Sequence, residues 1–259
     1  LSTVQNITQN RPYSIDDAPK ITRSQSEKSL YGWRYSTSSV SNVAYSSIIE
    51  NYGTFFAVHS TGIVSSQNGL VWTSATWSGG TPYSAALVGT QGASYIDYIY
   101  VVVGDNLIRT TTNFSSYTTI TPPSTNIWKH VIHSFEKSTT IAVGLNAAIY
   151  STTMGSSWTA SSSVPNGDWT NVCWSPDLAQ FVAVGPNVSM YSGDGNTWTA
   201  CSNVPNGAWS SIVWSGELNL YCAVAPTGTY RVMVSPDGIQ WTGVSIPEMN
   251  AWQSVCWSP

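Results

Sequence analysis

A chain of 259 residues is long enough to bury a substantial core, and its length alone leaves one or two domains open. Only 9 Lys and Arg stand against 13 Asp and Glu, for a formal net charge of -4, so the chain lacks the basic footprint that a nucleic acid partner requires. It holds no run of about 18 apolar residues to cross a membrane, and Leu1 to Asn10 lack the basic start and apolar stretch of a signal peptide; with Leu1 rather than Met first, it reads as a processed product or a piece of a longer chain.

In chain order, residues 1–30 read as an arm or linker, with Pro12, Asp16, Asp17 and Pro19 arguing for loop, and a Trp-like step follows at Trp33. From there a unit of roughly forty residues recurs. Its first strand is clearest at Trp169-Thr-Asn-Val-Cys-Trp174-Ser175, Trp209-Ser-Ser-Ile-Val-Trp214-Ser215 and Trp252-Gln-Ser-Val-Cys-Trp257-Ser258. Weaker copies are Trp128 to Ser134 and Val40 to Ser46, and the repeats are expected to open near Val40, Tyr83, Trp128, Trp169, Trp209 and Trp252.

After each complete copy an apolar run predicts a second strand: Phe55 to Val58, Thr140 to Val143, Phe181 to Val184 and Tyr221 to Val224. A third strand then ends in a polar turn before an aromatic residue: Ser66-Gln-Asn68-Gly69-Leu-Val-Trp72, Ser192-Gly-Asp194-Gly195-Asn-Thr-Trp198 and Ser235-Pro-Asp237-Gly238-Ile-Gln-Trp241. Asn-Gly or Asp-Gly between β-rich runs is a strong hairpin signal. Thr111 to Tyr117 and Ser151 to Trp158 follow the same plan in degenerate form.

Four short strands fit each unit, and one such sheet cannot bury both its faces alone, so neighbours must stack. The expected fold is all-β: a six-bladed β-propeller of four-stranded blades, one domain over residues 1–259. Trp252 to Ser258 would supply the innermost strand of a sixth blade whose other strands precede Val40, so that the N- and C-terminal segments close the ring.

The Ser-x-Asp-x-x-x-Trp turns at Ser192 and Ser235 resemble the Asp-box, or BNR, repeat of sialidase-like propellers, one residue shorter and with Gly directly after Asp. The resemblance covers most of the chain and implies a six-bladed ring in which the Asp caps turn amides and the Trp wedges between strands at the blade periphery. Sialidases also carry an arginine triad, a Tyr nucleophile with a Glu, and an Asp acid/base. Here the arginines are Arg11, Arg23, Arg34, Arg109 and Arg231, and none recurs at corresponding positions of successive blades.

A two-carboxylate glycosidase needs paired Asp or Glu across one cleft. Asp194 and Asp237 are explained by turns, Glu136, Asp177 and Glu217 share one hairpin position, and Asp168 precedes a repeat; Glu50, Asp97, Asp105 and Glu248 remain. His130 and His133, three apart on one strand, face opposite sides and do not chelate a metal from that strand. Cys173, Cys201, Cys222 and Cys256 have no C-x-x-C spacing and read as buried thiols. The expectation is a protein that is not an enzyme, with no metal and no cofactor.

The 13 Trp and 14 Tyr are the remaining signal. Tyr83, Trp128, Trp169, Trp209 and Trp252 open the inner strands, where they pack between blades or ring the channel mouth as sugar-stacking platforms. Trp77, Tyr95, Tyr98 and Tyr230 fall outside the repeat positions and are the other candidate ligand-binding residues. The functional expectation is a propeller outside a cell or on a virus particle that binds glycans, lectin-like, through weak repeated sites. A structural subunit making contacts with surface proteins, with oligomers allowed, is the first alternative, and a glycoside hydrolase the second.

Overall fold

The structure is a computed structural model that describes residues 45–51, 54–75, 77–89 and 98–257. It is all-β, with five four-stranded antiparallel sheets, each a simple meander in chain order. The first blade is β1 (Tyr45–Asn51), β2 (Thr54–His59), β3 (Gly62–Ser66) and β4 (Thr73–Ser74); the second is β5 (Pro82–Val88), β6 (Ile99–Gly104), β7 (Leu107–Thr111) and β8 (Thr118–Ile120). The third is β9 (Trp128–Ser134), β10 (Thr139–Gly144), β11 (Ala147–Ser151) and β12 (Thr159–Ala160). The fourth is β13 (Asn171–Ser175), β14 (Gln180–Gly185), β15 (Val188–Ser192) and β16 (Thr199–Ala200), and the fifth β17 (Ser211–Ser215), β18 (Leu220–Val224), β19 (Val232–Ser235) and β20 (Thr242–Val244).

The first strands β1, β5, β9, β13 and β17 adjoin one another in that order, as the inner strands of a propeller do. The core lies between the blades. Phe56, Val58 and Ile63 meet Ala85, Tyr100, Val102 and Phe114 at the first junction, and three further clusters fill the next three junctions. Second strands are buried on both faces, which is why they read as unbroken apolar runs: in β10, Ile141 and Val143 face the fourth blade while Ala142 faces the second.

Beyond β17, the terminal segment occupies the place of a sixth inner strand. Thr170 Oγ1 donates to Trp209 O at 2.7 Å, and the equivalent Ser210 Oγ lies 3.5 Å from Trp252 O and 3.0 Å from Gln253 O. The Val255 amide donates to Ser211 Oγ, as the Val131 amide does to Ser84 Oγ. The other strands expected for a sixth blade, Trp33 and the arm at residues 1–30 lie outside the described residues.

Two expected repeat starts are corrected by register. Trp128 pairs with Gly144 across a bulge at Lys129; the residue in that place is Tyr45, paired with His59, in the first blade, and Pro82, paired with Gly104, in the second. The first repeat therefore opens at Tyr45, not Val40, and Tyr83 is the bulged residue rather than the Trp counterpart. Val40 to Ser46 imitates the apolar spacing, but a bulge is set by the partner strand and leaves no local mark.

The polar turns share one geometry. Asp194 Oδ1 accepts the amides of Asn196 and Thr197, each at 2.8 Å, Ser192 Oγ accepts the Gly195 amide at 2.8 Å, and Trp198 Nε1 donates to Gly195 O. Asp237 repeats this with the Ile239 and Gln240 amides, Asn68 with Leu70 and Val71, and Asn113 with Ser115 and Ser116. Gly195 sits at φ 75°, and Phe114 holds the same place at φ 54°, a strained conformation for a bulky residue. Its ring stacks on Phe56 at 4.1 Å and fills the junction between blades one and two.

Partial burial alone would raise the Asp194 and Asp237 carboxyls, but the turn amides outweigh it and hold both below the usual carboxylate range. Asp237→Ala is expected to lose about 1 kcal/mol in urea unfolding. Asp237→Asn should lose less, because Asn68 and Asn113 accept the same amides.

Candidate functional site

Three of the tryptophans that open the inner strands are packing residues with no face at the surface. Trp128, Trp169 and Trp209 are each 0% exposed and sit in successive blade junctions. The indoles of Trp169 and Trp209 donate to Pro165 O and Pro205 O, and their rings lie over Gly167 and Gly207, so the repeated Val-Pro-Asn-Gly-x-Trp segment builds its own socket. Trp128 lacks that segment, and its buried Nε1 has no partner. Trp252, in contrast, is 43% exposed.

The aromatics outside the repeat are engaged as well. The Arg109 guanidinium lies 4.5 Å over the Trp77 ring, Tyr117 meets that ring edge-on, and Trp77 Nε1 donates to Gly80 O. Tyr230 lies against Gly243, and Tyr98 packs on Gly89 and edge-on to Phe135. Tyr95 lies outside the described residues. Among the described candidates Trp209 and Tyr230 share one core cluster between blades four and five, while Trp128, Trp169 and Trp77 fall in three others.

The carboxylates form a ladder that sequence reasoning missed. Trp174 Nε1 donates to Glu136 of the preceding blade at 2.9 Å, and Trp214 Nε1 donates to Asp177 at 2.7 Å. Glu136, Asp177 and Glu217 share one position, as do Trp174, Trp214 and Trp257; their common spacing was the available signal. Asp168 pairs with Lys129 at 2.6 Å, a solvent-exposed contact worth under about 1 kcal/mol.

The two histidines on β9 point to opposite blades. His133 Nε2 donates to Gly89 O at 2.7 Å, which leaves Nδ1 to accept from Thr140 Oγ1 at 2.9 Å. His130 Nδ1 receives the Val172 amide from the fourth blade at 3.4 Å. Among the described residues no group of His, Cys, Asp and Glu is placed to hold a metal. The four thiols are free but not uniformly buried: Cys173 is buried, while Cys256 is exposed.

Burial pulls His130 down to about 4. Between pH 6.5 and 4 the unfolded chain then takes a proton that the folded chain refuses, so this stability is complete above 6.5 and lost as pH falls. Wild type is expected to lose about 2 kcal/mol more than His130→Asn between pH 7 and 4.5 in urea unfolding. Asn171 already fills the corresponding position.

Among the described residues two open grooves lie at equivalent places on the first two blades. One, of about 300 Å³, is lined by Thr54, Ser65, Ser66, Gln67, Asn68, Val71 and Thr73. The other, of about 210 Å³, is lined by Ile99, Thr110, Thr111, Thr112, Ser116, Tyr117 and Thr118. Register explains them: Ser65 and Thr110 face Thr73 and Thr118 on the outer strand, where blades three and four carry Tyr150 and Tyr191. Those tyrosines pack into the blade junctions, and the small hydroxyl residues leave space instead. Tyr117 keeps its proton, pushed up to about 12 by burial and only partly offset by Arg109, and donates to Phe114 O.

No protein-family model matches the sequence, and no curated protein matches it either. Solved structures similar to this chain are β-propellers. They include YCF48 bound to D1 peptide, at TM-score 0.57 and 12% identity over 77% of this chain and 68% of that one. The GH74 enzyme of Niastella koreensis matches at TM-score 0.52 and 19% identity, over 78% of this chain and 30% of the enzyme. The extracellular domain of the B. thetaiotaomicron one component system BT4673 matches at 0.60 and 10%, over 81% and 29%. This chain thus spans under a third of the last two, and identities this low establish a shared β-propeller fold.

Proposed function

We propose that this chain is a non-enzymatic propeller that binds glycans at its outer edge and is displayed outside a cell or on a virus particle. The observation that carries the reading is the pair of equivalent grooves, lined among the described residues mainly by hydroxyl side chains, with Gln67 and Asn68 in the first and no charged side chain in either. The hydroxyls not held by the turns, those of Thr54, Ser65, Thr73, Thr110 and Thr118, donate and accept by rotation, which suits the hydroxyl pattern of a sugar, and repetition on adjacent blades favours weak, multivalent binding. The partners of Glu136, Asp177, Asp194, Asp237 and Asp168 support a structural use of these carboxylates rather than a catalytic one. Purified protein on a glycan array is expected to bind reproducibly; silence across the array overturns the reading.

A second reading, protein contact, draws on Leu178 and Leu218, 41% and 60% exposed at corresponding hairpins of neighbouring blades. The peptide complex of YCF48 offers a precedent on the same fold. It predicts that Leu178→Ser/Leu218→Ser abolishes partner capture and leaves glycan binding unchanged.

A further inference from the structure

We infer that the two outer grooves select neutral glycans and turn away sugars that carry a carboxylate or a sulfate. This rests on the glycan-binding reading and narrows its ligand class. Among the described residues neither groove has a Lys, Arg, His, Asp or Glu in its lining. A neutral sugar ring offers hydroxyls that Ser65, Thr73, Thr110 and Thr118 match as donors or acceptors. An anionic sugar instead needs a cation, best an Arg fork, to replace the water it loses.

The cation nearest the second groove, Arg109, lies against its lining residue Tyr117 but is committed to other contacts. Arg109 precedes Thr110 on β7 and so points to the opposite face of the sheet. Its Nη2 donates to Ser78 O at 2.5 Å, and its guanidinium lies over Trp77 and Tyr117. A net charge of -4 adds long-range repulsion of polyanions. Both terms act in the same direction, against an acidic ligand.

The test compares a neutral oligosaccharide with the same backbone bearing a terminal sialic acid or a sulfate ester, titrated calorimetrically into the full chain. The neutral sugar is expected to bind at least about tenfold more tightly. Ser65→Tyr/Thr110→Tyr closes both grooves with the residue that Tyr150 and Tyr191 already place at that register. It should weaken neutral binding about tenfold or more with an unchanged thermal midpoint. Thr73→Val/Thr118→Val, which removes exposed hydroxyls at constant volume, provides the same comparison if the larger residues unfold the chain.

Equal or tighter binding of the acidic sugar, lost in the same variants, overturns the neutral selectivity and leaves the grooves as the glycan site. Neutral binding untouched in folded variants overturns the grooves themselves, and binding of neither sugar overturns both readings.

Discussion

Trp209→Ala is expected to destabilise the protein by about 3–5 kcal/mol, enough to consume a large part of a typical domain's stability. The indole is 0% exposed, sits among Val184, Ile212, Ala223 and Met233, and donates to Pro205 O at 2.9 Å. Removing it opens a cavity at the junction of blades four and five and leaves the Pro205 carbonyl without its donor. Trp252→Ala, at the same repeat position but 43% exposed, should cost under about 1 kcal/mol. Urea unfolding of the two variants checks the contrast, and equal losses would show that the fourth junction is not the close-packed interface described.

Gly185→Ala is expected to cost about 2–3 kcal/mol, a large effect for one methyl group. Gly104, Gly144 and Gly185 close the second strands of blades two, three and four, where the incoming loop crosses directly over them. A Cβ at these positions would run into the backbone carbonyls of Thr81, Ile127 and Asp168. Backbone oxygen cannot rotate away as a side chain can, so the loop and its bond from the Trp169 amide to Gly144 O belong to a geometry that tolerates no side chain there. Gly193→Ala offers the control: the nearest atom to its Cβ would be Ala179 O at 4.0 Å, and the loss should stay within about 0.5 kcal/mol.

The blades were legible because the later junctions reuse one chemistry. Trp169 and Trp209 precede an apolar run, a Gly-containing turn and a second Trp at fixed spacing, and each of these residues fills the same kind of socket. The register of the first two blades was not legible, since Tyr45 and Pro82 take the Trp128 position through pairing with His59 and Gly104 across bulges. The candidate site was read less well. Trp77 lies outside the repeat, so no repeat position assigns it a packing partner, yet Arg109 from the next blade covers its ring.

The Trp174–Glu136 and Trp214–Asp177 bonds join residues 38 and 37 apart in the chain, so equal spacing marked the positions without saying that they meet. The grooves depend on what is missing. Ser65 and Thr110 look unremarkable until aligned by register with Tyr150 and Tyr191, whose rings fill the corresponding space.

Hydrogen exchange of the full chain, with and without a neutral oligosaccharide taken from the array, shows where the sugar sits. Binding at the two grooves gives slowed exchange confined to residues 65–73 and 110–118. No change on adding the sugar, or protection centred on the inner-strand tryptophans or on the Leu178 and Leu218 hairpins, would contradict it.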